Sequence, residues 1–249
     1  MTRVLILGGT GDAREVAALA TAADFEAISS LAGRTRSPQL PVGSARVGGF
    51  GGARGLADYL RDEQIDLLVD ATHPFADQIT ANAAQAAKAA DVPRVLLDRP
   101  GWAPIAGDRW IHAADVDDAA SKLPEFASRV FLTIGRQELA AFAHLTDIWF
   151  LYRTIDPPGD EVPRPPGLLL LDRGPFSEAE ERALMVEHRI EAVVTRNSGG
   201  DDTYPKIAAA RSLGLPVVVI ARPPIPPGDV VRSPGEVLAW LQRQVERVR

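Results

Sequence analysis

The chain is 249 residues long, 46% hydrophobic and 24% charged, with a formal net charge of -6 and no cysteine. That is enough apolar material for one large core or two modest ones, and it excludes a disulfide framework, a zinc-thiolate site, an iron-sulfur cluster or a cysteine nucleophile. The acidic balance argues against nonspecific nucleic-acid binding, no apolar run approaches the ~20 residues of a membrane span, and MTRVLILGG does not read as a secretory signal, so a cytoplasmic protein with neither nucleic-acid nor membrane partner is expected.

Short β-branched and leucine runs alternate with alanine-rich helical stretches along the whole chain, the pattern of parallel βαβ units. The pattern predicts a strand over 4–7, a helix over 12–23 and a strand over 27–31. A linking stretch runs through 47, followed by a helix over 52–63, a strand over 67–70, a helix over 75–90 and a strand over 94–97. Pro, Gly and Trp then break the rhythm in RPGWAPIAGDRW, residues 99–110. Beyond it come a helix over 115–123, a strand over 130–133, a helix over 137–144, a strand over 148–152 and a Pro-rich loop over 156–167. A strand over 168–171, a helix over 177–188, a strand over 192–195, a helix over 204–213, a strand over 216–220 and a last helix over 234–248 complete it. The expected fold is α/β: two Rossmann-like lobes with mainly parallel sheets and a cleft between them, residues 1–100 forming the first and 101–249 the second, with a terminal strand free to cross between lobes.

Gly8, Gly9 and Gly11 fall on the turn of LILGGTGDAR, residues 5–14. Such a turn lets a backbone approach a pyrophosphate, and the N–H groups of the helix start supply an anion site. Counted from Gly9, the third glycine of G-x-G-x-x-G is replaced by Arg14, which loses close helix-strand packing but can reach back to a phosphate. A bend without a ligand is the other reading. After the second strand, SSLAGRTRSP (29–38) offers no acid to the ribose of NAD; Ser30, Arg34, Thr35 and Arg36 instead suit a 2'-phosphate, favouring NADP(H) over a merely solvated basic loop.

DATHPFA (70–76) follows a strand at the end where open α/β sheets bind ligands. There His73 serves either as a proton donor or ribose ligand, or, with Asp70 and Thr72 capping the next helix, as a brace for the loop. In TRNSGGDDTYPKIAAAR (195–211), Asn197, Ser198, Gly199 and Gly200 form a polar turn, and Tyr204 and Lys206 open the next helix. The arrangement suits a carboxylate or phosphate, or an ordinary capped loop. Arg99, Arg136, Arg153, Arg173 and Arg196 all fall at strand ends, and converging on one rim they favour an anionic polycarboxylate substrate. The four histidines are scattered and no metal is expected.

Together GGTGDAR, SLAGRT, DATHPFA, TIGRQEL and TRNSGG...TYPKIAAAR, five ordered blocks over essentially the whole length, resemble the precorrin-6A reductase family of the cobalamin pathway. The resemblance implies NADPH-dependent reduction of one carbon-carbon double bond of precorrin-6A, a tetrapyrrole-derived ring bearing many acetate and propionate side chains, to give precorrin-6B. It implies that residues 1–100 bind NADP(H) and that the second lobe binds substrate. Gly9, Thr10, Gly11, Asp12 and Arg14 would hold the pyrophosphate, Ser30, Arg34 and Thr35 the 2'-phosphate end, and Thr72 and His73 would lie near the nicotinamide ribose. Arg136, Asn197, Ser198, Gly199, Tyr204 and Lys206 would face the macrocycle. His73, Tyr204, Lys206 or water would supply the proton. Another NADP-dependent reductase of a small carboxylated substrate, or a non-enzymatic nucleotide-binding sensor, are the alternatives. The metal content of the substrate and the oligomeric state stay open.

Overall fold

The computed structural model describes residues 1–33 and 41–248. The chain falls into two compact units, Met1–Pro100 with Pro223–Arg249, and Gly101–Arg222.

The first hundred residues run β1 (Arg3–Leu7), α1 (Gly11–Ala22), β2 (Glu26–Leu31), β3 (Ser44–Val47), α2 (Ala53–Asp62), β4 (Leu67–Asp70), α3 (Asp77–Ala90) and β5 (Arg94–Leu97). The second unit follows with β6 (Arg109–Ala113), α4 (Val116–Lys122), β7 (Arg129–Thr133), a 3-10 turn over Leu139–Phe142, β8 (Trp149–Thr154), β9 (Gly167–Leu171), α5 (Glu178–Glu187), β10 (Ala192–Arg196), α6 (Pro205–Ser212) and β11 (Pro216–Ile220). The chain then returns to the first unit with β12 (Asp229–Val231) and α7 (Pro234–Val248).

The first sheet is ordered β12-β5-β4-β1-β2-β3, every pairing parallel. This is the doubly wound dinucleotide-binding order, whose direction reverses between β1 and β4, and ligands of such sheets bind at the carboxyl ends around that reversal. Its sixth position is filled from the far end of the chain: Val230 pairs with Leu96. Residues 223–249 therefore cluster with the first unit, whereas the sequence pattern assigns 101–249 to the second lobe while leaving a terminal strand free to cross between lobes.

Both faces of the sheet are covered. On α1, Ala13, Val16, Ala17 and Ala20 recur at helical spacing and pack with Val4, Ile6 and Val69 of the strands and Trp240 and Leu241 of α7. On the other face Leu56 and Leu60 of α2 and Ala83 of α3 meet Leu5, Leu7 and Leu68. Each fully buried leucine contributes roughly 1.5–3 kcal/mol over its exposed state.

The second sheet is ordered β6-β11-β10-β7-β8-β9, again all parallel, and its order reverses between β7 and β10. Phe131, Leu151 and Val193 form its core with Met185 of α5 and Ala209 and Ala210 of α6. Three strands are additional to the sequence pattern, namely β3, β6 and β12. The helix expected over 137–144 contracts to the 3-10 turn, in which Leu139 and Phe142 are fully buried. No helix among the described residues is long and apolar enough to cross a membrane.

Candidate functional site

In the first unit the glycine turn leaves β1 at its carboxyl end, beside the strand-order reversal. Gly9 holds φ +116°, a region that favours glycine, and a side chain built on it would meet nothing within 4 Å, so the backbone there is open to a ligand. Thr10 caps α1: its Oγ1 accepts from the Ala13 N–H at 3.0 Å and donates to the Ala71 carbonyl at 2.9 Å. One hydroxyl thus ties the glycine turn to the loop after β4. A Cβ at Gly8 would stand 3.1 Å from the Ala13 Cβ. The close helix-strand contact that the fingerprint assigns to its third glycine is made here by Gly8 against buried Ala13, one residue before Arg14. Arg14 folds back toward the Thr10 carbonyl, 3.4 Å from its Nη1. The Asp12 carboxylate, in the first turn of α1, accepts from Arg99 Nη1 at 2.6 Å, so a guanidinium also stands at this helix start.

The loop after β4 is braced from within. Asp70 is fully buried, and its Oδ1 accepts from both the Thr72 N–H at 3.2 Å and the Thr72 hydroxyl at 2.7 Å. Neither Asp70 nor Thr72 caps the next helix: α3 starts at Asp77 behind Ala76, with no side-chain cap. His73 Nδ1 accepts the Phe75 N–H at 3.2 Å, which leaves the proton of a neutral ring on Nε2.

At the end of β2, Ser30 is buried and its hydroxyl accepts from Arg46 Nη1 at 2.8 Å. Arg34, Thr35 and Arg36 lie outside the described residues. Arg46 escaped the sequence reading because β3, which carries it, lacks an apolar run.

In the second unit, the turn after β10 is stitched to residues 101–108 and to the end of β11. Asn197 Oδ1 accepts the Trp102 N–H at 2.7 Å and its Nδ2 donates to the Trp102 carbonyl at 3.2 Å. The Trp102 indole donates to Gly200 O at 2.9 Å, and Arg222, another residue the sequence reading missed, donates to the carbonyls of Asn197 and Ser198 at 2.7 and 3.1 Å. Ser198 and Gly199 are buried, and Gly199 and Gly200 both have positive φ, +65° and +75°. The Tyr204 hydroxyl accepts from Arg211 Nη2 at 2.6 Å, and Arg211 Nε donates to Asp108 at 2.8 Å, a bond that raises the Arg211 pKa above its ordinary value.

Lys206 departs from its expected place facing a ligand. Only 5% exposed, it donates from Nζ to the Thr203 carbonyl at 2.8 Å and lies 5.3 Å from the Trp102 ring centre. Burial lowers its pKa to about 7, the Glu181 carboxylate opposing and the Arg153 guanidinium adding to the shift. The strand-end arginines are also more neutralised than a bare basic rim requires. Arg153 pairs with buried Glu181 at 2.5 Å and Arg196 Nε with Glu138 at 2.9 Å, while Arg136 donates to the Pro157 carbonyl at 3.2 Å.

Comparison with known proteins decides among the chemistries that these two rims allow. Residues 3–242 match the family model described as Precorrin-6x reductase CbiJ/CobK. The chain belongs to the precorrin-6x reductase family. A relative named precorrin-6A reductase in Rhodococcus erythropolis is 56% identical over 97% of this chain and 98% of its own length. One of the same name in Mycobacterium tuberculosis (strain H37Rv) is 49% identical over 97% and 98%. A solved structure described as CobK precorrin-6A reductase superposes with a TM-score of 0.92 at 42% identity, covering 98% of this chain and 97% of that one. Relatives named cobalt-precorrin-6A reductase are more distant; that of Priestia megaterium is 27% identical over 97% and 98%. Within this reductase family, the doubly wound first sheet and its glycine turn can hold a dinucleotide by backbone N–H groups and the start of α1.

Proposed function

We propose that the chain reduces one carbon-carbon double bond of precorrin-6A to give precorrin-6B, a step of cobalamin biosynthesis, with NADPH as the reductant. The observation that carries the substrate is full-length identity of 56% to a protein named precorrin-6A reductase. The metal-free ring is favoured over the cobalt form, because the relatives named for the latter are only 27–28% identical.

The first unit fits the cofactor. Gly9 is open above its backbone, α1 presents its start to that opening, and residues 29–38 contain no acid to select a free ribose hydroxyl. Bound there, NADPH supplies a hydride. The chain's own contribution is to hold the reactants close and aligned and to match their charge. Gly9, Thr10 and Gly11 would act on the pyrophosphate through backbone N–H groups, since the Thr10 hydroxyl is already engaged. Asp12 would act indirectly, by holding Arg99 at the helix start, and Arg14 would close the turn from outside. Ser30, Arg34 and Thr35 are assigned to the 2'-phosphate end. Thr72, fixed by Asp70, and His73, with its proton on Nε2, border the nicotinamide ribose. For the acidic side chains of the ring, the second unit offers Arg136 and the turn over Asn197, Ser198 and Gly199 at the ends of β7 and β10. Tyr204 keeps its hydroxyl hydrogen available while accepting from Arg211, and is a proton donor; His73 would donate only as the imidazolium, which requires its Nδ1 to give up the Phe75 N–H.

The test is spectroscopic. Metal-free precorrin-6A mixed with the protein should change its visible absorption only when NADPH is added, with NADPH consumed in equal amount, and cobalt-precorrin-6A should react more slowly. Binding of NADPH with no consumption in the presence of either ring would make the protein a sensor and sink the proposal.

A further inference from the structure

Arg46 stands directly opposite Ser30 in the β2–β3 register, one residue before β3 ends at the carboxyl rim. Its Nη1 donates to Ser30 Oγ at 2.8 Å and to the Gly48 carbonyl at 3.0 Å, and its Nη2 to the Gly49 carbonyl at 3.3 Å. These bonds use three of the five guanidinium N–H groups. All three acceptors are neutral. Among the described residues Arg3, Arg99, Arg153, Arg196, Arg211 and Arg232 each have a carboxylate partner, whereas Arg46 has none.

The group is also held stiffly. Its guanidinium carbon lies 3.9 Å from the centre of the Phe50 ring and 5.0 Å from that of Tyr59, and the two rings pack edge to face at 5.2 Å. A half-buried cation satisfied only by neutral oxygens keeps most of its positive potential, and its two remaining donors suit an acceptor with more than one oxygen. Location narrows the acceptor. The pyrophosphate turn leaves β1, two strands and therefore about 10 Å from Arg46. A nucleoside anchored at that turn and lying across the end of β2 brings its ribose toward Ser30 and the cation behind it.

We propose that Arg46 binds the 2'-phosphate of the cofactor's adenosine and sets the preference for NADPH over NADH; the proposal rests on the NADPH reading of the site. Neutral ligands on three donors position the guanidinium, and the phosphate completes the other two with a charge-assisted bond.

Equilibrium titration of the intact protein with NADPH and with NADH tests this without turnover. Arg46→Met should weaken NADPH binding roughly 10- to 100-fold, the effect of losing a hydrogen bond to a charged group. NADH binding should stay within about twofold, which also reports that the site has folded. Arg46→Lys, which keeps the charge and loses the fork, should retain part of the preference. Equal weakening of both nucleotides would make Arg46 a scaffold for the Gly48–Gly49 turn and overturn the proposal. A preference unchanged in Arg46→Met but abolished in Arg34→Ala would overturn it in favour of Arg34. Wild-type protein that binds neither nucleotide, or prefers NADH, would refute the NADPH reading itself.

Discussion

Single residues at the two rims divide between those that can meet a ligand and those that hold the rims in shape, and residue type alone did not separate them. Lys206 carried the sequence pattern of an anion ligand, yet its ammonium is turned onto the Thr203 carbonyl under Trp102, and the neighbouring turn is fixed by the Asn197 amide and Arg222. Asp12 likewise serves Arg99, and Ser30 serves Arg46. Apart from Thr203, three residues from Lys206, these partners come from other strands and turns, so spacing cannot reveal them. Two expectations follow. If a side chain is the sole proton donor, His73→Ala or Tyr204→Phe should lower turnover roughly a hundredfold with NADPH affinity intact; turnover unchanged in both variants would leave water as the donor. Lys206 should be visible in stability rather than in chemistry. An unfolded lysine keeps its proton to about pH 10.5, whereas folded Lys206 releases it near 7, so between those values the unfolded chain binds more protons and this group's contribution to stability rises with pH. Wild type should therefore gain on Lys206→Met between pH 7 and 9.5, by at most about 1.4 kcal/mol per pH unit. Denaturant midpoints of both proteins at three pH values measure it, and a constant difference would show that Lys206 does not titrate there.

Among the elements, the central strands were legible and three of the four sheet edges were not. Strands such as β1, β4 and β7 lie between neighbours with helices on both faces, and they read as continuous apolar runs. β3 (SARV), β6 (RWIHA) and β12 (DVV) each close an edge and are partly exposed, and so carry little of that signal. The fourth edge, β9 (GLLLL), was legible through its leucines, although Leu168 and Leu171 are exposed. The helix expected over 137–144 fails for a related reason. Its apolar residues are real core, with Leu139 and Phe142 buried, but at a spacing of three they are served by a single 3-10 turn. The glycine turn is legible as a turn, while the close helix-strand packing expected to be lost at Arg14 is made by Gly8 against Ala13. Counted from Gly8, the fingerprint positions fall on Gly8, Thr10 and Ala13: the packing position is kept by a small residue, and the second glycine is replaced by the Thr10 cap.

Over the whole molecule, the first unit is discontinuous in sequence. Residues 223–249 supply its last strand and a helix whose Val237, Trp240 and Leu241 are almost wholly buried, with the Trp240 indole donating to Asp229 at 2.6 Å. Ending the chain at Arg222 should therefore abolish NADPH binding and render residues 1–100 protease-sensitive, while 101–222 persists as a resistant fragment; retained NADPH affinity would show that β12 and α7 are dispensable. The same connectivity orders the protein's assembly on the ribosome. The second unit, contiguous in sequence, has all its strands once Ile220 has emerged, whereas the first unit, begun earlier, lacks an edge strand and one of the two helices on its α1 face until β12 and α7 have followed. Throughout that interval the apolar face formed by Val4, Ile6 and Val69 has only α1 to cover it, so the nucleotide-binding half of a nascent chain is the part that calls for chaperone protection, although it is the first to be made.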